Sequence, residues 1–199
     1  YMGSDLSVVN AARVSFAKYH AEFDEKNDTQ LINYLAKHNH WSPFGHASMQ
    51  FHIKAPMFVA RQLVKHQVGL VWNEVSRRYV DDEPEFYTPT EWRRAAENKK
   101  QGSSDETIEY SVLPAYTFAK QYYENMLDKG VAPEMARMVL PQAMMTEWYW
   151  SGTLYAFARV CNLRCKSDAQ KETQDVGWKI DEIAKKLFPV SWRAIRIYE

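Results

Sequence analysis

Glycine is scarce in this chain, with seven in 199 residues at positions 3, 45, 69, 102, 130, 152 and 177. No two lie close enough for a G-x-G-x-x-G fingerprint or a phosphate-cradling P-loop, so a Rossmann or P-loop nucleotide enzyme is not expected. Cysteine is scarcer still. Cys161 and Cys165 are too few for a disulfide framework, and their C-x3-C spacing is not the redox C-x-x-C. Neither sign of charge is in excess: 25 Lys+Arg meet 25 Asp+Glu. That balance argues against a broad electrostatic grip on nucleic acid or on an anionic membrane. No apolar run approaches the roughly 20 residues of a membrane span, and no charged-then-apolar leader opens the chain. These absences point to a soluble protein of a reducing compartment, cytoplasmic, with neither nucleic acid nor membrane among its partners.

What is present is aromatic. Phe, Trp and Tyr make up 14% of the chain. Such a load builds a core and an oligomer interface, or a surface that stacks planar rings, and composition does not separate the two. The length suits one domain over residues 1–199, able to bury about 70% of the surface its unfolded form exposes without a staple.

Periodicity predicts helices over Asp5–Phe16, Thr29–His38 capped by Asp28, and Pro56–His66, where Arg61 and Lys65, and Gln62 and His66, stand one turn apart. Ala47–Lys54 alternates, with Met49, Phe51 and Ile53 on one face, as a half-buried strand does. Gly69–Tyr87 reads as loop plus strand, and Asn98–Ser104 as an exposed loop. A long helix is expected over Asp105–Lys129, kinked or interrupted at Pro114, and a short one from Pro133 to Leu140. A strand over Met144–Ser151 then feeds a helix over Thr153–Leu163. Ser167–Gln170 reads as a capping box opening a last helix that Pro189 ends. Strands and helices mix without βαβ alternation, which makes the class α+β: helices around an antiparallel sheet.

All six histidines fall between His20 and His66. His38, His40 and His46 match no metal-ligand spacing and no Cys or carboxylate cluster completes them, so no metal is expected. Neither cysteine carries a nucleophile signature. The densest polar and aromatic stretch is Arg61–Gln67 followed by Trp72–Tyr79. Its arginines, serine, glutamate and asparagine can hold a phosphate and read a polar ring edge, or can form a solvated face. Arg137 and Arg164 sit in apolar sequence; each pairs with an internal carboxylate or binds an anionic ligand.

Together these segments resemble one family, the flavin-dependent thymidylate synthases (ThyX). The resemblance rests on Met2-Gly3-Ser4-Asp5-Leu6 with Ala11-Ala12-Arg13-Val14-Ser15-Phe16, His40-Trp41-Ser42-Pro43-Phe44-Gly45-His46, and Phe51-His52-Ile53-Lys54-Ala55-Pro56 running to Arg61-Gln62. It continues in Asn73-Glu74-Val75-Ser76-Arg77-Arg78-Tyr79, Ala136-Arg137-Met138-Val139-Leu140-Pro141 and Asn162-Leu163-Arg164. The family's hallmark is Arg-His-Arg, seven residues, then Ser. Here it reads Lys65-His66-Gln67, with eight residues before Ser76.

The resemblance implies a single ThyX-like fold, intertwined in a homotetramer with active sites between subunits, with the family's first strand missing ahead of Tyr1. It implies reductive methylation of dUMP to dTMP, with methylenetetrahydrofolate as carbon donor and NADPH as reductant by way of FAD. Arg164 matches the catalytic position. Gln62, Lys65, Glu74, Ser76, Arg77, Arg78, Arg137 and Arg164 match dUMP-binding positions. Ser15, His40, Ser42, Lys65, His66, Gln67 and Glu74 match flavin-binding ones, with Thr153, Tyr155 and Arg159 in the later flavin stretch. Arg159 is expected to replace the charge missing at Gln67. Two other readings remain: a non-catalytic flavin- or nucleotide-binding relative, and a single-stranded nucleic-acid binder using Trp72–Tyr79.

Overall fold

In a computed structural model that describes residues 1–80, 82–97 and 102–198, Val8 and Val9 are the buried apolar residues of helix α1 (Asp5–Arg13), which runs on into a 3-10 turn over Val14–Phe16. The remaining elements are α2 (Asn27–Lys37), β1 (Ser48–Pro56), α3 (Met57–Leu63), β2 (Leu70–Glu74), β3 (Trp92–Ala95), β4 (Ser103–Ile108), α4 (Leu113–Asp128), α5 (Pro133–Ala136), β5 (Met145–Thr153), α6 (Leu154–Arg164), α7 (Lys171–Leu187) and α8 (Pro189–Ile195). One sheet has the order β1-β5-β2 and a second is the antiparallel pair β3-β4. The class is α+β, as the mixed pattern predicts.

The residues fall into two compact units. The first comprises Tyr1–Phe51, His66–Val71 and Trp150–Glu199; the second comprises His52–Lys65 and Trp72–Tyr149. In the first unit, the Asp5 carboxylate accepts hydrogen bonds from the backbone N–H groups of Val190 (2.9 Å) and Ser191 (2.8 Å). Those are orphan donors of the first turn of α8, so a side chain at the start of α1 satisfies them. Trp150, Phe157, Phe188 and Trp192 fill the interior there. Asp181 and Arg196 form a buried ion pair (2.6 Å), and the Trp192 indole donates to the same carboxylate oxygen at 3.1 Å. In the second unit, Val59, Ala60 and Leu63 of α3, Tyr123 of α4 and Trp148 of β5 are buried.

Several expectations are corrected. Asp28 lies inside α2 and does not cap it. Ahead of the helix, Asp24 Oδ1 accepts from the Lys26 N–H at 3.0 Å and the Asn27 N–H at 2.9 Å. Asp28 instead binds Arg13, His20 and the Asp24 N–H. Helix α3 stops at Leu63, so Lys65, His66 and Gln67 lie beyond it and share no helical face with Arg61 and Gln62. The long helix begins at Leu113 and places Pro114 in its first turn, where a missing N–H costs nothing and no kink follows. Residues 103–108 ahead of it are β4. The capping box at Ser167 does not form: Gln170 is the N-cap residue of α7 and its side chain makes no cap bond. Pro189 opens α8 as well as ending α7. Of the expected loop at Asn98–Ser104, residues 98–101 lie outside the described residues, and Ser103 and Ser104 belong to β4.

Candidate functional site

In the second unit the chain leaves β2 at Glu74 and turns, with the Tyr79 N–H donating to the Ser76 carbonyl at 3.0 Å. The turn sets Ser76, Arg77 and Arg78 along one wall of a cavity of about 1010 Å³. Arg61, in the last turn of α3, and Arg137, in the 3-10 turn after α5, reach the same cavity. Arg78 Nε donates to Ser76 Oγ at 3.1 Å, and its guanidinium lies 4.9 Å from the Tyr79 ring centroid. Arg77 donates to the Asp82 carbonyl, and Arg137 Nε to the Glu134 carbonyl at 3.2 Å.

Several carboxylates also line the cavity, and most are already matched. Lys54 holds Glu85 at 2.5 Å, and Lys120 pairs with Glu83. Glu147 lies 3.0 Å from His52 Nε2, whose ring stacks on Tyr149 at 4.7 Å. Glu85 hydrogen bonding pushes the Lys54 ammonium pKa up, which keeps that pair charged. No ion pair joins a carboxylate to Arg61, Arg77, Arg78 or Arg137 among the described residues. Four guanidiniums around one cavity, none in an ion pair with a carboxylate among the described residues, make a receptor for an anionic ligand. Arg137 is exposed, and no carboxylate pairs with it among the described residues.

Glu74 is the carboxylate handled differently. Thr146 Oγ1 donates to its Oε1 at 2.8 Å and Trp72 Nε1 to its Oε2 at 3.1 Å. Neither Thr146 nor the anchoring role of Trp72 is legible in the sequence. Thr146 lies 72 positions from Glu74, and no local pattern joins them. For Trp72 the one signal is its interruption of a polar run.

A second cluster lies in the first unit. Arg164, at the end of α6, donates through Nε to His66 Nε2 at 2.9 Å. An accepting Nε2 places the ring proton of the neutral imidazole on Nδ1. Burial first, then the positive charges of Arg164 and Arg159, push the His66 pKa down from 6.5 to about 4. The Arg164 partner is therefore a neutral ring and not an internal carboxylate. Helix α6 is started by Thr153, whose hydroxyl accepts from the Ala156 N–H at 3.1 Å, and the Thr153 N–H donates to the Gly69 carbonyl at 3.2 Å. Tyr155, on the same helix, meets the Trp41 ring at 6.1 Å beside Ser42 in the 3-10 turn Ser42–His46.

The sequence-expected positions thus sort by unit. Glu74, Ser76, Arg77, Arg78 and Arg137 meet at the cavity, while Gln62 and Lys65 belong to the same unit without lining it. His66, Arg159 and Arg164 meet in the other unit, which also carries Ser15, His40, Ser42, Gln67, Thr153 and Tyr155. Ser15, His40, Ser42 and Gln67 are exposed, and His40 packs its ring 6.0 Å from Tyr34. Cys161 is buried, and its hydrogen bond with Cys165, then burial, hold its thiol protonated. Among the described residues no three His, Cys, Asp or Glu side chains are grouped to hold a metal ion, and no helix is long and apolar enough to cross a membrane.

Residues 1–190 match the family model described as thymidylate synthase complementing protein. A flavin-dependent thymidylate synthase of Thermus thermophilus is 40% identical over 197 residues, covering 97% of this chain and 72% of its own length. That of Kosmotoga olearia is also 40% identical, over 200 residues, with 97% and 86% covered. Among solved structures, the UMP/dUMP methylase PolB of Streptomyces cacaoi bound with 5-Br dUMP superposes with a TM-score of 0.85 at 32% identity, covering 96% of this chain and 90% of that one.

Proposed function

The chain belongs to the thymidylate synthase complementing protein family, the flavin-dependent thymidylate synthases, and from that premise we propose that its arginine-lined cavity receives dUMP and that the His66 cluster receives the flavin. The observation that carries this reading is the set of Arg61, Arg77, Arg78 and Arg137 around one cavity, none of them ion-paired with a carboxylate among the described residues. A nucleoside monophosphate supplies the missing anion, and Ser76 adds a hydroxyl donor beside Arg78.

The flavin site is tested on its donor set. Arg159 is exposed, Arg164 is half-buried, and His66 is neutral with its proton on Nδ1. The Arg159 guanidinium with imidazole and hydroxyl donors fits the pyrophosphate and ring edge of FAD, and it supplies the charge that Gln67 lacks. When bound, the flavin supplies the reducing equivalents for making the methyl group. The protein binds, orients and stabilises charge. Contributed from another chain of the assembly, Arg164, whose partner is a neutral acceptor and not a carboxylate, meets the uracil edge and favours the ionised, electron-rich pyrimidine at C5. No thiol is needed for this, and Cys161 is buried and protonated. Methylenetetrahydrofolate as carbon donor and NADPH as reductant complete the balance. We also propose a homotetramer, with nucleotide and flavin elements contributed by different chains.

The test is NADPH oxidation by the yellow, flavin-loaded protein with dUMP, with and without methylenetetrahydrofolate, followed by chromatography for dTMP. UMP belongs in a parallel arm, because PolB is described as a UMP/dUMP methylase and was also solved with 5-Br UMP. Arg164→Ala is expected to lose dTMP formation by at least about a hundredfold while keeping the flavin absorbance. Full turnover in that variant overturns its role. A protein that binds flavin and dUMP yet forms no methylated product supports the non-catalytic reading, which Gln67 favours.

A further inference from the structure

Glu74 is exposed on the cavity wall, yet neither carboxylate oxygen is left to solvent alone. Thr146 is buried on β5, with 6% of its surface exposed, and its hydroxyl reaches Glu74 Oε1 at 2.8 Å. Trp72, on β2, reaches Oε2 through its indole N–H at 3.1 Å. The indole is itself fixed. It stacks on Trp148 with ring centroids 4.3 Å apart and planes 16° from parallel, and Trp148 is buried at 1% exposure. A carboxylate on a glutamate has three rotatable bonds and, if unsupported at a surface, visits several rotamers. Two donors on separate strands, one buried and one stacked on a buried ring, select one of them.

We propose that Thr146 and Trp72 are positioning residues: they pin the Glu74 carboxylate in the orientation in which its remaining lone pairs accept a hydrogen bond from the bound nucleotide, amid guanidiniums that hold the anion. This rests on the cavity being the nucleotide site. The physical argument is preorganisation. A fixed acceptor makes its bond without first losing rotamer freedom, and a loosened one weakens binding by the fraction of time it spends correctly aimed. Spread over several rotamers, that fraction falls to somewhere between a third and a tenth, so the expected loss is roughly three- to tenfold in nucleotide affinity. Because the chemistry at the ring is not Glu74's task here, the loss belongs in KM and not in kcat.

Two variants separate the donors. Thr146→Val removes the hydroxyl at nearly constant shape, and Trp72→Phe removes the indole N–H while leaving a ring to stack on Trp148. Each is expected to raise the KM for dUMP roughly three- to tenfold with kcat within about twofold, and Thr146→Ser is expected to restore wild-type KM. Glu74→Ala is then combined with Thr146→Val. If Thr146 acts through Glu74, the double variant is no worse than Glu74→Ala alone; additive effects mean that Thr146 acts by some other route and overturn the proposal. Crystals of the nucleotide-free protein provide a readout independent of turnover. Wild type should show one Glu74 rotamer, and Trp72→Phe and Thr146→Val more than one. A single unshifted rotamer in both variants overturns the proposal even where kinetics change. Wild-type protein that fails to bind dUMP, but shows the rotamer change, removes the nucleotide reading and leaves the pinning intact.

Discussion

His66 is the residue whose charge state carries most consequence in the flavin cluster. Its ring titrates at about 4 when folded, against 6.5 ordinarily. Between those values an unfolded chain takes up a proton that the folded one refuses. This ring's contribution to stability is therefore complete above pH 6.5 and is lost progressively as pH falls toward about 4. His66→Gln keeps an acceptor for Arg164 and removes the titration. The difference in Tm between variant and wild type should therefore be constant above pH 6.5 and move in the variant's favour below it. A difference that does not change with pH contradicts the neutral ring. Residue identity was the most legible level of the site. Arg164, Arg137 and the Ser76–Arg78 run were recognisable as arginines and a serine in an unusual setting, but their partners were not. Nothing in the order of residues shows that Arg164 faces an imidazole or that Glu74 meets a threonine from β5.

The junction between β5 and α6 is the element on which the flavin cluster depends. Thr153 caps α6, which carries Tyr155, Arg159 and Arg164. Its replacement by Ala should cost about 1 kcal/mol in urea unfolding. The residue before it tolerates less. A Cβ on Gly152 would sit 2.5 Å from the Gly69 carbonyl oxygen and 2.5 Å from Leu70 Cδ2, and the first of these is backbone that cannot swing away. Gly152→Ala should destabilise by about 1–3 kcal/mol, the usual range for overpacking; a loss below that range would show that the strand moves freely here. Elements with strong periodicity were legible: α1, β1, β5, α6 and α7 lie close to where apolar spacing predicts them. The misplaced ones have identifiable causes. β4 reads as the end of a loop and the start of a helix because Ser103–Ile108 is polar and lacks a buried face to alternate, with four of its six positions exposed. Pro114 reads as a kink because a proline at a helix start and one within a helix look alike until the first turn is located.

At the scale of the whole molecule, many large apolar side chains stay exposed. Phe16 is 77% exposed, Tyr19 76% and Tyr79 79%, with Met138 at 74%. Such surface suits the homotetramer proposed above, in which these rings become interface. Light scattering at assay concentration should give about four times the 23.3 kDa chain mass. A monomer that still forms dTMP would remove the intersubunit site from the proposal. The even balance of charge belongs to this scale as well. It describes the sum and not the distribution, because carboxylates paired with Lys54 and Lys120 leave the cavity arginines unmatched.

The sequence by itself determined the class of the fold, most of the helices and the chemical character of the site. Those depend on periodicity and residue type, which are local. The scarcity of glycine likewise ruled out only the glycine-loop manner of holding a nucleotide, and side-chain guanidiniums provide another. Tertiary structure alone decided which charges are cancelled, that His66 is neutral and that Glu74 is pinned. Each of these depends on atoms brought within hydrogen-bond reach from distant parts of the chain, and such distances have no signature in the order of residues.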